Sequence, residues 1–190
     1  VASAVRRTGV QLIIGNDPEV IENSDKIILP GVGAFGEAMR QLNSLDLINP
    51  LNFHVRDQGK PYLGICVGAQ IVAHGSDEFG FHEGLGWINA WVKKLPESCS
   101  NSRIPHTGWN DVYFDSSCHL FKGIDKGTLF YYNHSYALHS KDSKTVVGRS
   151  DYAGGFDSAL NINNIYATLF HPEKSQKAGL KMIENFINFT

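Results

Sequence analysis

The segment PYLGICVGAQ, residues 61–70, carries the strongest signal for both the fold and the chemistry of this chain. Its apolar run YLGI predicts a buried strand, and the following VGAQIVAH predicts a helix. Cys66 falls at the junction between Gly64 and Gly68, whose small size lets the backbones of a sharp strand-to-helix turn come close. Such a turn lifts the sulfur out of the sheet and places it at a helix N-terminus, where the dipole favours the thiolate.

Cys66 has two interpretations. Free cysteines are often buried and structural, whereas the G-x-C-x-G frame at a strand end favours a nucleophile. We predict a nucleophile, with the backbone N–H of Val67 directed at the position where an oxyanion forms. Cys99 and Cys118 have no such frame and are interpreted as structural cysteines.

A thiol nucleophile needs a base, and ATLFHPEKSQ near the end of the chain offers one. His171 follows an apolar run that predicts the last strand, and Glu173 stands two residues further on, where it can orient the imidazole. Taken alone, His-Pro-Glu could simply terminate a strand. Together with the cysteine turn, it predicts a triad of Cys66, His171 and Glu173 at the carboxyl ends of parallel strands, where open α/β sheets bind ligands.

The glycine-rich stretch LPGVGAF contains Gly31, Val32 and Gly33 and allows three interpretations. It could be a plain turn or a phosphate loop, although the pattern GxxxxGK[ST] is absent. The third interpretation is a strand-end loop whose amides stabilise an oxyanion. Beside a nucleophilic cysteine we favour the third.

The first half of the chain alternates strands and helices. We expect a strand at residues 26–29, ended by Pro30, and helices at 34–42 and 50–58 before the strand YLGI. This order predicts an α/β fold with parallel strands. At the start, VASAVRRTG predicts the end of a helix and VQLIIG a short buried strand. We therefore expect that a preceding strand and turn are missing from this sequence.

The second half has short β-rich runs and a closing helix. The runs are INAWVKKL, NDVYF, TLFYYN, KTVVGRS, FDSALNI and IYATLF, with NINN as a hairpin turn between the last two. A helix at residues 175–188 ends the chain. With no repeat and no linker, residues 1–190 are expected to form one domain with a mixed sheet.

Composition excludes several classes of function. Hydrophobic residues at 42% and charged residues at 19% argue against disorder, and a net charge of -2 without a basic cluster argues against nucleic-acid binding. Three cysteines without a CxxC pair argue against a disulfide framework or a cysteine-rich zinc site. With no signal peptide and no membrane-spanning run, we expect a cytoplasmic protein that does not bind membranes.

Several motifs together resemble one family. PGVGAFGEAM, GICVGAQ, PHTGWN, YYNHSYA and FHPEKSQKAGL are similar to the glutaminase subunit of imidazole glycerol phosphate synthase, a class I, triad-type glutamine amidotransferase. The resemblance covers nearly the whole chain. It implies a flavodoxin-like fold with a mixed, mostly parallel central sheet, helices on both faces and an added antiparallel region.

The resemblance also implies a reaction and a set of site residues. The family hydrolyses glutamine to glutamate and ammonia through the triad, without a metal or organic cofactor. It passes the ammonia to a (β/α)8-barrel cyclase subunit of a heterodimer, which makes imidazole glycerol phosphate in histidine biosynthesis. The residues that it assigns to oxyanion and glutamine binding are Gly31, Val32, Gly33, Val67, Gln70, His134, Ser135 and Tyr136, and those at the cyclase interface are Trp109 and Lys174.

Some alternatives stay open. Considered singly, His134 could be a structural histidine, Lys174 a solvated charge and Trp109 a core ring. Ala69, Leu169 and Ala167 replace the usual Met, Gln and Gly of the family. Paralogues that supply ammonia for surface-sugar modification share the triad, and a non-catalytic scaffold on the same fold is a further alternative. The glutaminase of pyridoxal phosphate synthase lacks PHTGWN and NHSY, which argues against it. A cysteine peptidase would need an extended substrate groove, for which the sequence gives no evidence.

Overall fold

The computed structural model describes residues 1–97 and 103–189, in which helices pack on a large mixed sheet and a smaller two-stranded one. Cys99 lies outside these residues. The α-helices are α1 (Ala2–Arg6), α2 (Pro18–Glu22), α3 (Phe35–Ser44), α4 (Ile48–Leu51), α5 (Val67–Gln70) and α6 (Gln176–Phe189). A π-helical turn spans Asn52–Asp57, and 3-10 turns span His119–Phe121, Ser143–Thr145 and Pro172–Lys174.

The strands are mostly short. They are β1 (Ile27–Gly31), β2 (Tyr62–Cys66), β3 (Gly75–Ser76), β4 (His82–Glu83), β5 (Ala90–Lys94), β6 (His106–Asp111), β7 (Tyr113–Phe114), β8 (Leu129–His134), β9 (Tyr136–Ser140), β10 (Val146–Ser150), β11 (Phe156–Ile162) and β12 (Ile165–Thr168).

The large sheet is mixed, as predicted. Its strand order is β1-β2-β12-β11-β9-β5-β3-β4, and β10 pairs with both β11 and β7. Parallel pairing joins β1 to β2, β2 to β12 and β3 to β5, while the other pairs of this sheet are antiparallel. The expectation of a mostly parallel sheet was therefore wrong. The parallel strands that matter for the site are grouped at one side, and the added antiparallel region is larger than predicted.

The predicted strand and helix around the glycine-rich stretch are confirmed, with shifted ends. Strand β1 continues through Pro30 to Gly31. A proline is tolerated here because, among the described strands, β1 lies at the edge of the sheet and pairs on one side only. The helix predicted at 50–58 is divided into α4 and the π-helical turn.

The helix predicted after Cys66 is shorter than its sequence suggested. It ends at Gln70, because the next backbone groups bond to another segment instead of continuing the helix. The carbonyl of Ile71 accepts from Leu85 N–H at 2.7 Å, and His74 N–H donates to the carbonyl of Ala90 at 2.9 Å. Tertiary pairing thus outweighs local helix propensity in residues 71–74.

The prediction of a buried strand at VQLIIG was wrong. Residues 10–14 have no strand geometry, and Ile13 and Ile14 are 47% and 65% exposed. A strand needs a neighbour for its backbone N–H and C=O groups, and this segment pairs with none of the described strands. The preceding helix is confirmed as α1, in which Ala4 and Val5 pack with Ile183 of α6.

The predicted runs of the second half form strands, but β6 and β9 were not predicted. FDSALNI forms β11, which turns through Asn163 and pairs antiparallel with β12, with Ile162 opposite Ile165. Asn163 has a positive φ of 52°, which asparagine tolerates in a tight hairpin. Helix α6 closes the chain, and Gly179 brings it against the backbone of Pro172.

Candidate active site

Three parallel strands end together at one edge of the sheet. Gly31 at the end of β1 is opposite Cys66 at the end of β2, and Thr168 at the end of β12 is opposite Ile65. The segments that follow these strands carry the glycine loop, the cysteine turn and His171. The register therefore places three of the predicted motifs side by side, as the carboxyl ends of parallel strands require.

Cys66 sits on a strained turn. Its φ of 55° and ψ of -111° lie in a region that non-glycine residues rarely adopt, at a cost of about 1–3 kcal/mol. The glycine frame permits the turn, because a Cβ on Gly64 would lie 2.3 Å from the carbonyl oxygen of Gly68, and one on Gly68 would lie 1.8 Å from that of Leu29. The buried hydroxyl of Tyr62 donates to the Gly68 carbonyl at 2.8 Å and holds the turn from below.

His171 and Glu173 form a directed pair. Nδ1 of His171 lies 2.9 Å from Oε1 of Glu173, and both side chains are largely buried. Because a carboxylate only accepts, the proton of this bond belongs to Nδ1, which leaves Nε2 for the thiol of Cys66. In the described part of the chain, Oε2 of Glu173 is buried and accepts no hydrogen bond. Its single strong bond therefore fixes the imidazole tautomer.

The electrostatics of this pair favour an imidazolium. Burial acts to lower the pKa of His171, but hydrogen bonds to Cys66 and Glu173 and their negative charges outweigh it and raise that pKa to about 9. Burial acts to raise the pKa of Glu173, and the hydrogen bond and positive charge of His171 hold it below its usual value instead. A proton taken from Cys66 is thus stabilised on His171.

The backbone around His171 is clamped by a serine that the sequence had suggested only as a helix start. The hydroxyl of Ser175 donates to the carbonyl of His171 at 2.6 Å and accepts from the N–H of Tyr131 at 3.0 Å. The N–H of His171 also donates to the carbonyl of Tyr131 at 2.8 Å. This clamp ties the histidine to β8, and no sequence motif indicated it.

The glycine loop lies against the cysteine turn. A Cβ on Gly31 would come within 2.8 Å of the Cβ of Val67 and 3.0 Å of the N–H nitrogen of Gly68. Val32 is 85% exposed, and Gly33 has a φ of 104° that favours glycine. The structure therefore brings Gly31 beside Val67, while Val32 projects outward from the loop.

Glu78 anchors the helix that follows this loop, a role the sequence did not indicate. Its Oε2 accepts from the N–H of Phe35, the first residue of α3, at 2.7 Å. A carboxylate at a helix start satisfies an otherwise unpaired N–H and complements the dipole. Because Phe35 follows Gly33 by two residues, this bond also limits how far the C-terminal end of the loop can move.

The segment of His134, Ser135 and Tyr136 joins β8 to β9 and lies next to the cysteine turn. The side-chain amide of Gln70 donates to the carbonyl of Tyr136 at 2.9 Å. The sulfur of Cys66 lies 4.0 Å from the carbonyl oxygen of Asn133, one residue before the segment. Gln70 is thus joined to this segment through the Tyr136 carbonyl, while the His134 side chain is buried and bonds to protein groups.

The two residues expected at a partner interface belong to one exposed cluster with Tyr131. The ring of Trp109 meets that of Tyr131 edge-on at 5.9 Å, and the ammonium of Lys174 lies 5.4 Å from the Tyr131 ring centre. Trp109 is 43% exposed, so it is no core ring. The cluster adjoins the triad, since Lys174 directly follows Glu173 and the rings of Tyr131 and His171 are 6.4 Å apart.

The described residues contain neither a metal-binding cluster nor a membrane-spanning helix. Among residues 1–97 and 103–189, no group of three or more His, Cys, Asp and Glu side chains is arranged to hold a metal ion. In that same part of the chain, none of the helices combines the length and apolar character needed to cross a bilayer.

Comparison with known proteins identifies the family. A family model described as glutamine amidotransferase class-I matches residues 1–189. The imidazole glycerol phosphate synthase subunit HisH of Aquifex aeolicus is 40% identical over 187 residues, which cover 98% of this chain and 88% of the relative. The HisH subunit of Syntrophotalea carbinolica is 37% identical over 190 residues, which cover 98% and 92%.

Solved structures agree on the fold. The glutaminase domain of Trypanosoma brucei CTPS, solved with bound acivicin, aligns with a TM-score of 0.66 at 16% identity and covers 98% of this chain and 86% of that one. At this identity the likeness concerns the fold alone. The family match and the two relatives show that the chain belongs to the class-I glutamine amidotransferases, in the group of the imidazole glycerol phosphate synthase HisH subunits.

Proposed function

We propose that this chain hydrolyses glutamine to glutamate and ammonia through Cys66, His171 and Glu173, as the glutaminase subunit of imidazole glycerol phosphate synthase in histidine biosynthesis. The observation that carries the proposal is the strained cysteine turn beside a histidine whose Nδ1 is bonded to Glu173 at 2.9 Å. The names of the relatives support the synthase. Residues 1–190 act as one amidotransferase domain.

The proposed reaction begins at the side-chain amide of glutamine. The sulfur of Cys66 attacks the amide carbon while His171 takes the thiol proton, and the C=O electrons move onto the oxygen. The backbone N–H groups of Val67 and of Gly31, Val32 and Gly33 stabilise this oxyanion. Collapse of the intermediate breaks the C–N bond, and His171 donates its proton to the leaving ammonia.

The second half of the reaction releases glutamate. His171 now accepts a proton from water, whose oxygen attacks the thioester and restores the thiol. Throughout, Glu173 keeps the imidazole in one tautomer and balances its positive charge. Gln70 and the segment of His134, Ser135 and Tyr136 bind the substrate, and their connection through the Tyr136 carbonyl supports this assignment.

The proposal includes a partner and a location. The ammonia passes to a (β/α)8-barrel cyclase subunit, which makes imidazole glycerol phosphate and an aminoimidazole carboxamide ribotide. The exposed cluster of Trp109, Tyr131 and Lys174 supports a docking face there, because it adjoins His171 and presents both aromatic and cationic groups. We place the complex in the cytoplasm, since the thiol of Cys66 must stay reduced.

The test is glutamate release from glutamine, measured for the chain alone and with the cyclase subunit and its ribulosyl ligand. We expect strong stimulation by the liganded partner and its complete loss in Cys66→Ala. Full activity of Cys66→Ala in the assembled complex would overturn the triad. Trapping of Cys66 by a glutamine-like electrophile without any stimulation would retain the chemistry and move the partner to the sugar-modifying paralogues. Failure in both assays would favour a scaffold.

A further inference from the structure

A pair of buried histidines lies behind the segment that joins β8 to β9. Nδ1 of His106 lies 3.1 Å from Nε2 of His134, and Nδ1 of His134 lies 3.0 Å from the carbonyl oxygen of Tyr136. A carbonyl only accepts, so the proton of His134 belongs to Nδ1 and its Nε2 is an acceptor. His106 must then donate from Nδ1. The two hydrogen bonds therefore run in one direction, from His106 through His134 to the Tyr136 carbonyl.

The position of His106 is closely defined by its surroundings. Its ring is stacked between Tyr132, at 4.7 Å and 22°, and Tyr152, at 3.8 Å and 17°. It pairs with His134 in the β6–β8 ladder and is 3% exposed. The ring therefore has little freedom to move away from its acceptor, and the donor that it offers is fixed in direction.

Both imidazole rings are neutral near pH 7, so the hydrogen bonds keep the same donors and acceptors at that pH. Burial lowers the pKa of His106 to about 4. Burial, together with the nearby His106 and His171, lowers that of His134 to about 3 despite its bond to Tyr136. A neutral imidazole has one donor and one acceptor, and each ring here uses its Nδ1 as the donor.

This pair of hydrogen bonds ends at the Tyr136 carbonyl, which also accepts a hydrogen bond from the Gln70 side chain. The oxygen of Tyr136 accepts from His134 and, at 2.9 Å, from the amide of Gln70. We propose that His106 is a positioning residue for glutamine: through His134 it fixes the Tyr136 carbonyl, and with it Gln70 and the backbone that holds the substrate. This inference rests on the proposed function, because it assumes that these groups bind glutamine.

The test compares two variants of His106 in the chain–cyclase complex with the ribulosyl ligand bound. His106→Phe retains a ring between the tyrosines and removes the donor, which leaves Nε2 of His134 buried and unpaired. We expect KM for glutamine to rise about 10-fold, with kcat within about two-fold of wild type, because the lost interaction acts on binding. His106→Asn places an amide N–H near the position of Nδ1 and should bring KM back to within about three-fold.

The matched control is Tyr152→Phe, which removes one hydrogen bond, from the Tyr152 hydroxyl to the Arg103 carbonyl, on the outer side of the same stack. It should leave KM unchanged. The reaction of Cys66 with methyl methanethiosulfonate, a small thiol reagent that carries no carboxamide, should be equal in all variants. If His106→Phe does not fold, His106→Gln replaces it, because its amide lies one bond beyond Nδ1, and the same rise in KM is expected.

Three results would overturn the inference: an unchanged KM in folded His106→Phe, a rise in KM that Tyr152→Phe shares, or no recovery in His106→Asn. Failure of the proposed function would look different. Wild type would then show no glutaminase activity with the partner, or Cys66→Ala would retain it, and neither result involves a His106 variant.

Discussion

Gly179 in helix α6 packs against the backbone that joins His171 to Glu173, although it is remote in sequence from Cys66. A Cβ built on Gly179 would lie 1.7 Å from the carbonyl oxygen and 2.6 Å from the carbonyl carbon of Pro172. Pro172 is the residue between His171 and Glu173. The perturbation Gly179→Ala therefore pushes directly on the peptide that carries both the base and its orienting carboxylate.

The size of the displacement follows from these distances. Ordinary van der Waals contact starts at 3.4 Å, so oxygen and Cβ must separate by about 1.7 Å. The clamp of Ser175 on His171 resists the shift, and strain is shared between the helix and the turn. Misplacement of a reacting group by about 1 Å costs on the order of 100-fold in rate. We expect kcat for glutamine hydrolysis to fall about 100-fold.

Overpacking should also lower stability, but by less than would unfold the protein. A cost of about 2 kcal/mol is typical for added volume in a packed site. For a chain of this size it lowers Tm by about 4–8 °C. The assay therefore measures glutamate release in the partner complex well below Tm, with thermal unfolding followed by circular dichroism on the same samples.

The matched control is Ala178→Gly, one residue earlier in the same helix. It costs helix α6 about 1 kcal/mol through backbone entropy and adds no atom near Pro172. We expect a small loss in Tm and nearly normal kcat. If Gly179→Ala retained wild-type kcat, or if Ala178→Gly lost as much activity, the contact with Pro172 would not be what positions the triad.

Three further outcomes are expected. Glu173→Gln should lower kcat at least about 100-fold while the fold is retained, because the imidazolium loses its counter-charge; full activity would contradict the triad. The His171 imidazole should titrate near pH 9 when followed by NMR, and its pKa should fall in Cys66→Ala. The free energy of unfolding should decline as pH rises from about 6.5 through 9, because the raised pKa stabilises the fold only while His171 is protonated. An NMR titration midpoint at the ordinary histidine value of about 6.5 would refute the raised pKa of His171. Tyr62→Phe should lower stability by about 1–3 kcal/mol in denaturant unfolding, because the buried Gly68 carbonyl loses its donor at 2.8 Å; no loss would mean that the carbonyl finds another partner.

The parts of the fold that could be predicted from sequence are those fixed by local chemistry. The glycines around Cys66 and the Asn163 turn leave the backbone few options, and both lie where the sequence placed them. The helix predicted for residues 71–74 and the strand predicted for residues 10–14 were wrong for the opposite reason. Their apolar composition suits more than one structure, and the outcome depends on which distant backbone groups are available to pair.

The same distinction applies to the candidate site. His171 and Glu173 are two residues apart, and Cys66 and His171 were each predicted at the carboxyl end of a parallel strand; the structure brings the three together. The contacts of Ser175 with Tyr131 and of Glu78 with Phe35 join residues far apart in the chain through single hydrogen bonds. Ser and Glu are common on helix starts and surfaces, so nothing in their local sequence separates these two from the rest.

The parallel pairing of β2 with β12 has a consequence for the birth of the enzyme on the ribosome. Tyr62 is opposite Ile165, about a hundred residues later in the chain. Contacts this distant must wait for loop closure, and they form late in folding. During synthesis Cys66 leaves the ribosome long before His171 is added to the chain, so its thiol has no neighbouring base at that stage. The proposed triad is therefore incomplete in the nascent chain, and we expect glutamine hydrolysis only after β12 has paired with β2.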